Sequence, residues 1–144
     1  MEFHFPTQTI FYTIENTIKL YRKTSQKRIQ EVVKDITVDQ ALVLIIIDGK
    51  PESTQIEIAD LLFKDFASIT RMINLLVKND HLNRATNKSD RRRSTLSVTK
   101  KGSKTIEVLK PIINSNRAFA LKGVNQKEQK VLETTLRKII FNCS

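Results

Sequence analysis

Basic side chains are concentrated in one short part of the chain. Between Arg84 and Lys104 there are eight basic residues and a single acid, Asp90, which leaves an excess of seven positive charges. That excess is most of the formal net charge of +10. A solvated surface usually mixes both signs, whereas a cluster of one sign indicates a polyanionic partner. The cluster therefore predicts binding to nucleic acid or to an acidic membrane surface.

The centre of this cluster is the stretch SDRRRSTLSVTKKG, Ser89 to Gly102. The alternating run TLSVT after the arginines and the run HLNRA before them predict the two strands of a β-hairpin. A basic hairpin favours DNA over a membrane surface, because membrane binding usually uses an amphipathic helix. Arginine at a hairpin tip suits the minor groove, where narrow A·T tracts concentrate negative potential. A nuclear-localisation signal is the secondary interpretation of the arginine run.

The hairpin, residues 84–98, is thus expected to act as a wing that enters the minor groove. Asp90 is expected to hold one of the arginines in position, and Arg92 is the arginine expected to enter the minor groove. The side chains predicted to contact DNA from this wing are Lys88, Arg91, Arg92 and Arg93.

A second group of candidate side chains falls on one face of a predicted helix, residues 66–78, which Asp65 can cap. Ile69, Ile73 and Leu76 form its apolar side. Arginine can bond a guanine edge and asparagine an adenine edge, so the opposite face could read bases. Every amphipathic surface helix has a polar outer face, and a merely solvated face is the alternative that the neighbouring basic cluster disfavours. The predicted DNA contacts on this helix are Ser68, Thr70, Arg71, Asn74 and Lys78.

The elements that position these side chains are marked by three capping boxes. They predict a mainly helical chain. The run ALVLIII also fits a buried strand, but the capping box before it and Asp48-Gly49-Lys50-Pro51 behind it decide for a helix. The predicted capping boxes pair Thr37 with Gln40, Thr54 with Glu57, and Asn125 with Glu128. The predicted helices run over about 8–33, 38–48, 55–64, 66–78, 100–121 and 126–142.

The order helix–helix–helix–hairpin predicts a winged helix-turn-helix with flanking helices. We assign residues 1–34 to an N-terminal dimerisation helix, 35–101 to the DNA-binding domain and 102–144 to C-terminal dimerisation helices. The apolar stripes of the long terminal helices cannot all be buried on so small a core, so a homodimer is expected. In the last helix the stripe consists of Val131, Leu132, Leu136, Ile139 and Ile140.

Composition argues against other classes of protein. Cys143 is the single cysteine, and His4 and His81 are the only histidines. Metal-ligand spacings and catalytic arrangements are absent, so no metal, no cofactor and no enzymatic activity are expected. The longest apolar run has seven residues, Ala41 to Ile47, against roughly 20 for a membrane span. A cytoplasmic protein with no membrane partner is expected.

Several segments, in this order, resemble the MarR-type (multiple antibiotic resistance regulator) transcription factors. They cover nearly the whole chain. The most specific is the Asp-Arg-Arg run with a threonine nine and a glycine twelve residues further on. The resembling segments are ITVDQALVL (36–44), TQIEIADLL (54–62), SITRMINLLVKNDHLNR (68–84), DRRRSTLSVTKKG (90–102) and NQKEQKVLETTLRKI (125–139).

The resemblance implies a homodimeric transcription regulator, a repressor, bound to double-stranded DNA at a pseudo-palindromic operator. According to this resemblance, Ser68, Thr70 and Arg71 would read the major groove. The wing, with Asp90 and Arg92, would reach the minor groove. The family usually has glycine at the position of Asp80, and we expect Asp80 to adopt the left-handed conformation in its place.

Many members of the family respond to a phenolic ligand, which implies a small aromatic effector. The N-terminal aromatic side chains could line its pocket, although packing at a dimer interface is the favoured interpretation. The alternative function for the whole chain is a winged-helix module that contacts an acidic protein partner. The N-terminal side chains in question are Phe3, His4, Phe5, Phe11 and Tyr12.

Overall fold

The computed structural model describes residues 1–86, 89–90 and 94–144. In these ranges the chain forms six α-helices and one antiparallel hairpin, which confirms the predicted fold class of a mainly helical chain with a small β wing. A short 3₁₀ helix, Pro6–Gln8, precedes them. The elements are α1 (Ile10–Gln30), α2 (Val38–Gly49), α3 (Gln55–Leu62), α4 (Phe66–Lys78), β1 (Leu82–Thr86), β2 (Ser94–Val98), α5 (Lys100–Ala120) and α6 (Gln126–Cys143).

The predicted capping boxes are all confirmed, and they set where three of the helices begin. The hydroxyl of Thr37 accepts a hydrogen bond from the N–H of Gln40 at 3.2 Å, and the Gln40 side chain accepts one from the N–H of Thr37. The same reciprocal pair opens α3 and α6. Each box satisfies backbone N–H groups that the first helical turn leaves without partners. This local signal makes the β-branched run of α2 a helix rather than a strand.

The core lies where α2 meets α4, β2 and α5. α3 packs against α4 and contributes Ile58 and Ala59 to the core, and α1 packs against α5. The side of α4 predicted to be apolar is fully buried at Ile69, Ile73 and Leu76. Burying a side chain of this size stabilises the fold by about 1.5–3 kcal/mol. This packing fixes which face of α4 is left to solvent.

The turn between α3 and α4 is tighter than the sequence indicates. α3 ends at Leu62 rather than Lys64, because Phe63 adopts the left-handed conformation with φ 56°. The N–H of Lys64 then donates to the carbonyl of Ala59 at 2.9 Å, which closes the end of the helix. The chain reverses within these residues, so Asp65 is extended and caps α4. The Phe63 ring is 94% exposed.

A second junction joins the end of α4, the start of β1 and the start of α5. Asp80 has φ 64°, as expected for a residue at a position usually taken by glycine. The Thr99 hydroxyl donates to the Asp80 carbonyl at 2.6 Å and accepts from the N–H of Gly102 at 2.9 Å. The N–H of Thr99 donates to the carbonyl of His81 at 3.1 Å. A Cβ atom at Gly102 would lie 2.2 Å from the His81 carbonyl oxygen, so no other residue fits here without a shift of the backbone.

The terminal helices leave much of their apolar surface exposed. α1 ends at Gln30, short of the predicted Val33, and Ile10 and Ile18 on it are exposed. The sequence predicts a buried stripe on α6, but within one chain no residue of α6 is buried. Val131, Leu132 and Ile140 are all exposed. In the described part of the chain no helix has the length and apolar character needed to cross a membrane.

We predict that Gly102→Ala destabilises the fold by about 1–3 kcal/mol, the usual effect of forcing an extra carbon into a packed site. Chemical denaturation measures this change. Gly49→Ala is the matched control, because a Cβ there meets nothing within 4 Å and alanine is the better helix former. Equal stabilities of the two variants would contradict the close packing assigned to Gly102.

Candidate nucleic-acid interface

The outer face of α4 carries the predicted DNA-contacting side chains. Arg71, Asn74 and Lys78 are exposed along one side of the helix, and Ser68 and Thr70 are half-buried near its start. The spacing of three and four residues places Arg71, Asn74 and Lys78 in one row. The structure thus brings all five predicted helix residues to the solvent side of the buried stripe.

Asp65 fixes the first turn of α4. One carboxylate oxygen accepts from the N–H of Ser68 at 2.7 Å, and the other accepts from the Ser68 hydroxyl at 3.1 Å. The Ser68 N–H is the main reason that the pKa of Asp65 lies below its usual value, and the Ser68 hydroxyl adds to the effect. Asp65 is therefore ionised at neutral pH and offsets the positive end of the helix dipole.

Three further hydrogen-bond contacts orient the side chains of Arg71 and Thr70 on this face. The guanidinium of Arg71 donates to the hydroxyl of Ser68 at 3.1 Å. The hydroxyl of Thr70 lies 3.0 Å from the side-chain oxygen of Gln55 and 3.0 Å from the carbonyl of Phe66. Gln55, at the start of α3, is a member of this surface that the sequence did not indicate, because nothing local to it points towards α4.

Among the described residues, a hydrogen bond between side chains joins the wing to α4. Arg84 on β1 donates to the amide oxygen of Asn74 at 2.9 Å. Cross-strand pairing of Arg84 with Leu96 sets the register of the hairpin. The sequence predicted Arg84 as part of the basic cluster but not as a partner of α4. Its position makes the face of α4 and the base of the wing one continuous polar surface.

The remaining residues predicted to contact DNA or to organise the wing belong to its tip. Lys88, Arg91, Arg92 and Arg93 lie outside the described residues. Asp90 is described and exposed, and its role in organising the wing stays a prediction.

Positive charge continues from α4 onto the first turn of α5. The ammonium of Lys101 donates to the carbonyl of Asn79 at 2.7 Å, directly after the end of α4. Lys100 and Lys104 are exposed beside it. Lys78, Arg84 and Lys101 therefore place positive charge at the C-terminal part of the outer face of α4.

His81 lies beneath this surface and is 1% exposed. Neither ring nitrogen has a hydrogen-bond partner among the described residues. Nε2 lies 3.8 Å from a carboxylate oxygen of Asp35, which is too far for a hydrogen bond. Burial is the main reason that the pKa of His81 is lowered, and the nearby Lys101 ammonium lowers it further, while Asp35 and Asp80 act in the opposite direction. The imidazole is therefore neutral when the junction is packed.

A cavity of about 180 Å³ lies between α1, α2 and α5. Two buried polar side chains line it: Ser25 and Asn116, and neither finds a hydrogen-bond partner for its side chain within the described ranges. Arg22, also in the lining, pairs with Asp39, which in turn pairs with Lys64 at 3.2 Å in the turn before α4. The full lining is Tyr21, Arg22, Ser25, Ile29, Val38, Leu42, Ile113, Asn116 and Arg117.

The N-terminal aromatic side chains are not part of that lining. Phe3, His4, Phe5, Phe11 and Tyr12 are exposed near the start of the chain. Cys143 is exposed as well. Over the described ranges, histidine, cysteine and acidic side chains form no group that could hold a metal ion.

The element order and the placement of these side chains define a winged helix-turn-helix protein. Residues 36–94 match the model of the MarR family. The resemblance to the MarR-type regulators predicted from the sequence is confirmed over these residues.

Solved structures with the same fold cover nearly the whole chain. Bordetella bronchiseptica BpsR, described with regulation of its DNA binding by 6-hydroxynicotinic acid, has a TM-score of 0.84 at 19% identity and covers 96% of this chain and 97% of its own. A DNA complex of S. aureus MepR has a TM-score of 0.82 at 18% identity, with 93% and 98% covered. A mutant of E. coli MarR complexed with operator DNA has a TM-score of 0.75 at 22% identity, with 94% and 99% covered. At these identities the likeness shows the fold.

Acidification should weaken the junction through His81. Because the pKa of the folded state lies below the ordinary value of 6.5, the unfolded state binds more protons. The contribution of the neutral ring is complete above about pH 6.5 and is lost as the pH falls through 6.5 towards the folded pKa. Denaturant titrations at pH 8 and pH 5 should therefore show a smaller loss of stability for His81→Gln than for the parent chain. Exposed His4→Gln is the control; an unchanged pH dependence in His81→Gln would disprove the assignment.

Proposed function

We propose that the protein is a homodimeric, sequence-specific regulator of transcription, a repressor, that binds double-stranded DNA at a pseudo-palindromic operator. The observation that carries this proposal is the continuous polar surface in which Arg84 of the wing bonds Asn74 of the exposed face of α4. In a helix-turn-helix, the second helix enters the major groove. The DNA complexes of MepR and MarR with the same fold support DNA as the partner.

Within this surface the side chains have different roles. Arg71 is exposed and held by Ser68 near the start of α4, where a guanidinium can bond a guanine edge. Asn74 is also exposed, and its N–H₂ group can donate to DNA while its oxygen accepts from Arg84. Lys78, at the end of the helix, is suited to a phosphate. Arg92, with Lys88, Arg91 and Arg93, is assigned to the minor groove on the charge pattern of the wing.

The dimer is inferred from the apolar surface that one chain leaves exposed. α6 buries none of its residues within the chain, although Val131, Leu132 and Ile140 lie on it. Exposed apolar side chains on α1 and near the end of α5 add to this surface. A twofold partner that contributes the same helices would bury all of them, as expected for an isologous interface.

A small aromatic effector is assigned to the cavity between α1, α2 and α5. Its volume of about 180 Å³ suits a compound of one aromatic ring. Asn116 and Ser25 supply buried polar groups for such a ligand, and Arg22 and Arg117 supply cations for an acidic substituent. Regulation of BpsR by 6-hydroxynicotinic acid supports an effector of this size. This cavity, rather than the N-terminal aromatic side chains, is the effector pocket that we propose.

Arg71→Ala should relax the preference for one base rather than weaken all DNA binding equally. Sequences bound by the parent chain are first selected from a random duplex pool, and single-base variants are then titrated by gel shift. We expect about 1–3 kcal/mol of discrimination to be lost at one position in each half-site. Lys78→Ala is the comparison, and it should weaken binding to all sequences alike. A uniform loss for Arg71→Ala would make Arg71 a phosphate contact.

Ile140→Glu should break the dimer, because it places a charge in the apolar surface assigned to the partner. Sedimentation velocity measures the change in mass. Asn142→Glu on the same helix is the control, since it makes the same change in charge roughly on the opposite side. A dimer that withstands Ile140→Glu would rule out α6 as the interface.

A further inference from the structure

The leading end of α4 exposes aromatic carbon beside its polar face. Phe66 is the first residue of the helix and is 54% exposed. Ala67 is exposed next to it. A phenylalanine that is half exposed at the end of a surface helix contributes little to the core. The first residue of α4 that is fully buried is Ile69. The ring is therefore available to a partner that meets this end of the helix.

The polar groups around Phe66 are already engaged within the chain. Both oxygens of Asp65 accept from Ser68, and the hydroxyl of Ser68 also accepts from Arg71. The hydroxyl of Thr70 is held between Gln55 and the carbonyl of Phe66. Because ionised Asp65 offsets the positive end of the helix, this tip is poorly suited to a phosphate. The N-terminal end of α4 therefore offers a partner mainly apolar surface.

In the major groove, the apolar group on a base edge is the C5-methyl of thymine, and phenylalanine is one of the side chains that contact it. A recognition helix enters that groove with its N-terminal residues foremost. We propose that Phe66 determines sequence specificity by packing against thymine methyl groups in the operator. This inference rests on the proposed function, because it takes α4 to be the helix that enters the groove.

Replacing thymine by deoxyuridine tests the contact, because it removes the methyl group and leaves the base-pairing edge unchanged. Duplexes selected from the random pool are synthesised with each thymine replaced in turn and titrated with the full chain. We expect about a fourfold loss of affinity for the methyl group that Phe66 contacts, which is the factor for burying one such carbon. At that position Phe66→Ala should bind the thymine and deoxyuridine duplexes equally.

Phe63→Ala is the matched control, since it removes a more exposed phenylalanine from the turn before the helix. It should keep the preference for thymine, as should Arg71→Ala, whose effect falls on another base. Thermal melting confirms that each variant folds. If Phe66→Ala proves unstable, Phe66→Gln replaces the ring with a smaller polar side chain that favours helix formation, and it should lose the preference in the same way.

The outcomes separate this inference from the function on which it rests. If the chain binds DNA specifically but no deoxyuridine substitution lowers the affinity, the role of Phe66 is overturned and the DNA-binding function stands. The same holds if the substitution still lowers the affinity of Phe66→Ala. Loss of the preference in Phe63→Ala alone moves the contact to the turn and also overturns it. Failure to bind any duplex overturns both, and would favour a protein partner on this aromatic tip.

Discussion

The orientation of α4 and the hairpin depends on a close backbone contact between Gly102, in the first turn of α5, and the carbonyl of His81, directly before β1. A side chain at Gly102 would lie within 2.2 Å of that oxygen. Thr99 and Lys101 bond the carbonyls of Asp80 and Asn79, so three successive residues after α4 are held by the first turn of α5. Close-packed elements cannot deform continuously, so they shift together from one packing arrangement to another. A movement of α5 would therefore move α4 and the wing with it.

The same helix carries part of the cavity lining some turns further on. Asn116 and Arg117 lie on α5, and Arg22 of the lining reaches the turn before α4 through Asp39 and Lys64. The cavity is thereby connected to both ends of α4, at its start through this ion-pair chain and at its end through the Gly102 junction. In the proposed function, an effector would act on DNA binding through these two connections.

Local patterns in the sequence were enough to predict most of the fold. The capping boxes and the apolar stripe of α4 depend on residues close together in the chain, and the structure confirms them. The left-handed conformation of Asp80 was expected from the family resemblance, and it is confirmed as well. Contacts between distant residues could not be predicted, such as Arg84 with Asn74 or Thr70 with Gln55, because no periodicity encodes them. The left-handed Phe63 was missed because a large aromatic residue rarely adopts that conformation. The stripe on α6 was recognised, but one chain cannot bury it.

The central claim is that the positive surface around α4 and the wing binds double-stranded DNA. Titration of the parent chain with a random-sequence duplex by fluorescence anisotropy, over a series of salt concentrations, tests this claim most directly. Each phosphate neutralised contributes a slope of about −0.9 to the logarithm of the association constant against the logarithm of salt concentration. We expect binding at low salt, with a slope of several units. Absent binding, or an affinity that does not change with salt, would contradict it.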